Sequence, residues 1–156
     1  MYQKILVPVD ASLASIRGLQ EAIKLALAEK STLRLIHVVN EFVFDPVYAP
    51  SAAYEPLLES FRITGQEILA KAQALARQAG VEFQSELIET MGGNVAQLIL
   101  EGARKWPADL IVMGTHGRRG VRRAVLGSDA EMVVRSANVP VLLVRGDTET
   151  HSRKSG

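Results

Sequence analysis

An α/β fold, a single doubly wound five-stranded parallel sheet in the order 3-2-1-4-5 with helices on both faces, is what this sequence predicts. Three observations carry that expectation. Apolar runs of strand length alternate strictly with stretches whose apolar residues recur at spacings of three and four. The first run, Lys4-Ile-Leu-Val-Pro-Val9, is apolar almost throughout, the pattern of a strand buried on both faces rather than one. The chain has 156 residues, enough for one hydrophobic core and too few for separate catalytic and regulatory domains.

The first strand is therefore Lys4–Val9. Ile16, Leu19, Ile23 and Leu27 line one face of a helix over Leu13–Ala28. The alternation continues with a strand near Thr32–Val39, a helix from about Pro56 to Ala79 and a strand near Glu82–Glu89. A helix follows from Asn94 to about Lys105, then strand Asp109–Met113, helix Ser128 to about Ser136, and strand Val139–Val144. Parallel neighbours need right-handed crossovers, so helices must cover both faces. Residues 1–146 form the one domain, and Asp147–Gly156 has the polar, charged composition of a frayed tail.

Composition bounds the chemistry. With no Cys there is no thiolate catalysis, disulfide or Cys-based metal site, and three scattered His leave little for a His-based one, so any metal would arrive with a ligand. Neither a signal peptide nor an 18-residue apolar span is present, which makes the cytoplasm the expected compartment and a membrane an unexpected partner. A net charge of +1 gives no global field to attract nucleic acid.

In the predicted strand order the chain reverses direction between strands 1 and 4, and ligands bind outside the carboxyl ends of the strands at such a point. The segments after Val9 and Met113 are the informative ones. The second reads Gly114-Thr-His-Gly117-Arg-Arg-Gly120-Val-Arg-Arg-Ala-Val-Leu-Gly127-Ser128 and leads directly into a helix. Its glycines allow positive φ and close approach of backbone to ligand, and the helix start offers unpaired N–H groups. Arg118, Arg119, Arg122 and Arg123 lie in it with no acid, which suits a polyphosphate. Nucleic acid fits less well, since the stretch has no aromatic residue for stacking. The plainer reading is that the glycines only turn the chain and that Ser128 with Glu131 forms a capping box.

The spacing G-x2-G-x9-G-S from Gly114 to Ser128 resembles the nucleotide-binding signature of the universal stress protein family. The likeness extends to Ile5-Leu-Val-Pro-Val-Asp10, Ile36-His-Val-Val39, Asp109-Leu-Ile-Val-Met-Gly-Thr-His-Gly117 and Val139-Pro-Val-Leu-Leu-Val144, in order along residues 1 to about 146. It implies the adenine nucleotide alpha hydrolase-like form of the predicted fold, and ATP as ligand, with Mg²⁺. Gly114, Gly117, Gly127 and Ser128 would then lie on the phosphate side. Asp10 would meet the ribose, with the Pro8 and Val9 backbone alongside and Val38 at the adenine. The family also implies a homodimer through Val139–Val144, whose apolar edge otherwise invites association. Two departures stand out: Ala11 where Gly is frequent, and Asp129 where many relatives carry an uncharged residue.

The candidate site is thus Pro8, Val9, Asp10, Val38, Met113, Gly114, His116, Gly117, Arg118, Gly127, Ser128 and Asp129, with no catalytic residue assigned. Several roles stay open. Asp10 could instead reach a bridging Mg²⁺ or complement the first helix's dipole. Asp129 either points away or reaches the ligand through Mg²⁺, and His116 either donates to a phosphate or is solvated. His37 reads as a packed strand residue, and Gly92-Gly93-Asn94 as a turn at the sheet edge with Asn94 and Gln97 as a capping pair. Phe42, Phe44, Tyr48 and Tyr54 in the 40–55 segment would cover the adenine or pin the segment to the core. The expected function is that of an ATP-binding stress-response or regulatory protein, the alternative a slow ATPase or phosphotransferase at the same site. No GxxxxGK[ST] motif is present. A phosphorylated receiver domain lacks its acid cluster, and a flavin carrier its flanking aromatics.

Overall fold

The computed structural model describes residues 1–40, 51–116 and 125–146. The expected loop residues Gly117 and Arg118, with Arg119, Arg122 and Arg123, lie outside them, as do Phe42, Phe44, Tyr48 and the tail from Asp147. Strands β1 (Lys4–Pro8), β2 (Thr32–Asn40), β3 (Phe83–Thr90), β4 (Leu110–Gly114) and β5 (Val141–Val144) alternate with helices α1 (Leu13–Glu29), α2 (Tyr54–Ala79), α3 (Val95–Lys105) and α4 (Ser128–Ser136). A 3₁₀ turn at Ser51–Ala53 precedes α2. The sheet order is β3-β2-β1-β4-β5 with every pair parallel, as the sequence predicts.

Two apolar layers explain why these segments form one sheet. Ile5 and Val7 of β1, Leu33 and Leu35 of β2 and Val112 of β4 pack with Leu19, Ala22, Leu69 and Ala76 of α1 and α2. Leu6, Ile36 and Ile111, one residue out of step on the same strands, pack with Ala96 and Ile99 of α3 and Ala130 and Val133 of α4. Alternate residues of one strand thus enter opposite cores, which is why β1 reads as a continuous apolar run. Leu6, Ile36 and Ile111 are all fully buried, and truncating any of them to Ala should cost about 2–5 kcal/mol.

Element ends differ from expectation by a residue or two, for local reasons. β5 starts at Val141 rather than Val139 because Pro140 has no N–H for the ladder, although its carbonyl still accepts from the Ile111 N–H at 3.0 Å. α2 starts at Tyr54 because Pro56 falls in its first turn, where a missing N–H costs nothing. Ser12 caps α1 and Asn94 caps α3 with their side chains. α4 is different: its N-cap is Gly127, with no side-chain cap bond. The capping box of Ser128 and Glu131, the plainer reading of this segment, is therefore absent. Ser128 is already the first helical residue, and Glu131 pairs with Arg135 one turn on.

Candidate functional site

β1 and β4 are matched only at Ile5–Leu110 and Leu6–Ile111, whereas β1 and β2 remain matched as far as Pro8–Ile36. Beyond Leu6 the two central strands part, because the chain leaves β1 for a helix on one face and approaches α4 on the other. A cavity of about 1090 Å³ opens at this point, outside the carboxyl ends of the strands. It is large enough for a nucleotide-sized ligand. All ten candidate residues within the described chain line it: Pro8, Val9, Asp10, Val38, Met113, Gly114, His116, Gly127, Ser128 and Asp129.

The turn from β1 into α1 is held by its own side chains. Asp10 Oδ1 accepts the Ser12 N–H at 2.7 Å, and the Asp10 N–H donates to Ser15 Oγ at 2.8 Å. Asp10 thus organises the helix entry with one carboxylate oxygen. Among the described residues no partner takes Oδ2, which remains an acceptor on the cavity wall. This geometry is compatible with Asp10 serving the start of α1 and with its presenting an acceptor to the cavity.

The glycines work differently from expectation. Neither Gly114 nor Gly127 has positive φ; Gly127 sits at φ −58°. A Cβ on Gly114 would lie 2.7–2.8 Å from Ala14 and the Ser15 nitrogen, so Gly114 is there to let β4 touch the start of α1. A Cβ on Gly127 would lie 2.9 Å from the Thr115 carbonyl, to which the Gly127 N–H donates at 2.8 Å. That contact draws the amino end of α4 against the end of β4. The first-turn residues of α4, whose N–H groups no side chain caps, line the cavity at the positive end of the helix dipole.

Asp129 lies on the same wall and does not turn away from the crevice. Although the residue is exposed, the surrounding protein shields its carboxyl, and this desolvation raises its pKa. The nearby Ala96 amide opposes the shift and the negative charge of Asp10 adds to it. His116 is engaged at both ring nitrogens, with Thr115 Oγ1 at 2.9 Å from Nδ1 and the Val125 carbonyl at Nε2. Both ring nitrogens thus have protein partners among the described residues. His37 is a strand residue whose Nδ1–H donates to the Val9 carbonyl at 2.7 Å, yet it also lines the cavity.

Some lining residues were not anticipated. Phe61, Thr64 and Gly65 of α2 reach the cavity, and Gly93 and Asn94 do so from the start of α3. The 92–94 segment is a turn at the edge strand, with Gly92 at φ +90° and Asn94 Oδ1 accepting from the Ala96 N–H at 2.9 Å. The crossover from β3 nonetheless carries it back to the crevice. Among the described residues no group of three or more His, Cys, Asp or Glu could hold a metal.

Fold and crevice together define a doubly wound α/β protein with a ligand-sized cavity and an uncapped helix start at its strand reversal. The model of the universal stress protein family matches residues 1–145, and the chain belongs to that family. It is 38% identical to a universal stress protein of Methanocaldococcus jannaschii over 145 residues, 93% of this chain and 83% of that one. A universal stress protein family structure from Burkholderia pseudomallei is 35% identical with a TM-score of 0.73, covering 92% of this chain and 96% of its own. Two more distant structures share the fold and contain nucleotides. One, from Archaeoglobus fulgidus in complex with dAMP, is 23% identical with a TM-score of 0.65, covering 92% and 98%. The other, from Arabidopsis thaliana with AMP bound, is 17% identical with a TM-score of 0.68, covering 94% and 93%.

Proposed function

We propose that this chain binds an adenine nucleotide, ATP, between the segments after β1 and β4, and acts as a stress-response or regulatory binding module. The observation that carries the reading is the start of α4. Its first-turn residues, whose amides no side chain caps, line a nucleotide-sized cavity across from the open acceptor of Asp10. Phosphates belong at those amides, and Arg118, Arg119, Arg122 and Arg123 precede them in the sequence. The ribose belongs at Asp10 Oδ2, with the Pro8 and Val9 backbone beside it, and the adenine against Val38. The dAMP and AMP complexes of the distant relatives support the adenine nucleotide class.

A divalent cation would come with the triphosphate: among the described residues Asp10, Asp129 and Glu131 are carboxylates lining the cavity, and no group of three or more His, Cys, Asp or Glu could hold a metal without the ligand. Hydrolysis is the lesser reading. Acceleration needs a placed base, and the ring of His116, the nearest candidate, is engaged at both nitrogens.

The test is calorimetry with Asp10→Asn, which keeps an acceptor for the Ser12 N–H. Losing the second carboxylate oxygen should weaken adenosine and ATP alike, by about tenfold. A loss confined to Mg-ATP would move Asp10 to the cation, and unchanged affinity would remove it from the site. Single-turnover phosphate release at about 1 per second or faster would make the protein an enzyme.

A further inference from the structure

We propose that His116 is a positioning residue, a clasp that fixes the approach to α4 against the end of β4 without touching the ligand. Four contacts meet at this point. The Gly127 N–H donates to the Thr115 carbonyl at 2.8 Å, and the Thr115 N–H donates to the Val144 carbonyl at 2.9 Å. Ser12 Oγ, at the cap of α1, donates to the His116 carbonyl at 3.2 Å. The His116 ring spans the remaining gap, between Thr115 Oγ1 and the Val125 carbonyl. The ends of β4, β5, α1 and α4 are thereby tied through two consecutive residues.

Chemistry fixes the tautomer of the neutral ring. A carbonyl oxygen only accepts, so Nε2 carries the proton toward Val125. In the neutral ring Nδ1 is then bare and accepts from the Thr115 hydroxyl, which lies on a buried residue. Both ring nitrogens are satisfied by protein, so the imidazole has nothing left to give a phosphate. What it supplies is placement. Val125 stands two residues before Gly127, and pinning its carbonyl sets where the uncapped amides of α4 point.

This assignment deepens the ATP-binding reading and rests on it, but its test has a part that does not. Nitrogen NMR of the free protein should show His116 as the Nε2–H tautomer, unchanged when ATP is added. A protonated Nδ1 in the neutral ring, or an Nε2 resonance that shifts with phosphate occupancy, would overturn the clasp whatever the ligand. The second part compares ATP with adenosine. His116→Ala should weaken ATP about tenfold or more and leave adenosine within about twofold. His116→Gln, whose amide nitrogen reaches the Nε2 position, should restore most of the ATP affinity, whereas the shorter His116→Asn should not. Equal losses for ATP and adenosine, or no rescue by Gln, would overturn the proposal. If the unaltered protein binds no ATP, the ATP reading fails and the tautomer measurement alone decides the clasp.

Discussion

Asp129 is a carboxylate placed where the proposed ligand brings more negative charge, and desolvation by the surrounding protein, with a further contribution from Asp10, already raises its pKa before any ligand arrives. The folded chain holds the Asp129 proton more tightly than the unfolded chain, whose group has the ordinary value of 3.8. The resulting stabilisation is complete below that value and is lost as pH rises through the folded-state pKa. At neutral pH the ionised group is therefore a small burden on stability. Asp129→Asn should melt slightly higher than the parent at pH 7, with the difference closing as pH is lowered toward 4; a widening gap on acidification would contradict this. The same variant should strengthen Mg-free ATP by about two- to fivefold, the factor an exposed charge interaction of up to about 1 kcal/mol provides. With Mg²⁺ present the gain should vanish or reverse, because the cation would have Asp129 as a partner in the parent protein.

Helix α4 and the packing of β4 on α1 separate what the pattern of residues conveys from what it hides. The glycine at 114 looks like part of a phosphate loop, but its missing side chain is occupied by Ala14 and Ser15. Gly114→Ala should thus cost about 1–3 kcal/mol by overpacking and lower the melting temperature by several degrees. A variant as stable as the parent would show that α1 can move aside. All nine regular elements were legible because their periods of two and 3.6 report burial, and burial follows from the sheet. That the described candidate residues line one cavity was legible too, because the strand reversal brings the ends of β1 and β4 together whatever the details. Caps were less so: Ser128 has the chemistry of a cap, yet Gly127 holds the position through its bond to Thr115. The α2 wall was not legible at all. An amphipathic pattern tells which residues of α2 are buried, such as Leu58 and Leu69, but not that Phe61, Thr64 and Gly65 reach the crevice. Asn94 misled in another way, since a turn at an edge strand gives no hint that the crossover returns it to the centre.

At the scale of the whole molecule the sheet ends on one side in β5, an apolar edge strand. β5 pairs with β4 alone and stands at the end of the strand order. The carbonyls of Pro140 and Val144 accept from Ile111 and Thr115 of the β4 side, so by strand alternation the amides and carbonyls of Val141 and Leu143 point outward. Leu142 is 38% exposed on the same short apolar strand. An edge of this composition, with no charge or bulge to blunt it, favours pairing with another strand, and a second copy of the same strand satisfies both sets of outward groups at once under a two-fold axis. The prediction is a homodimer in which β5 meets its symmetry mate and the two sheets join into one. Sedimentation should give a mass near twice 17.0 kDa at micromolar concentration. Leu142→Lys, placing like charges close to each other across the axis while disturbing little of the core, should shift the equilibrium to monomer without changing the far-ultraviolet dichroism. A parent protein that sediments as a monomer, or a dimer indifferent to Leu142→Lys, would place the association elsewhere or remove it.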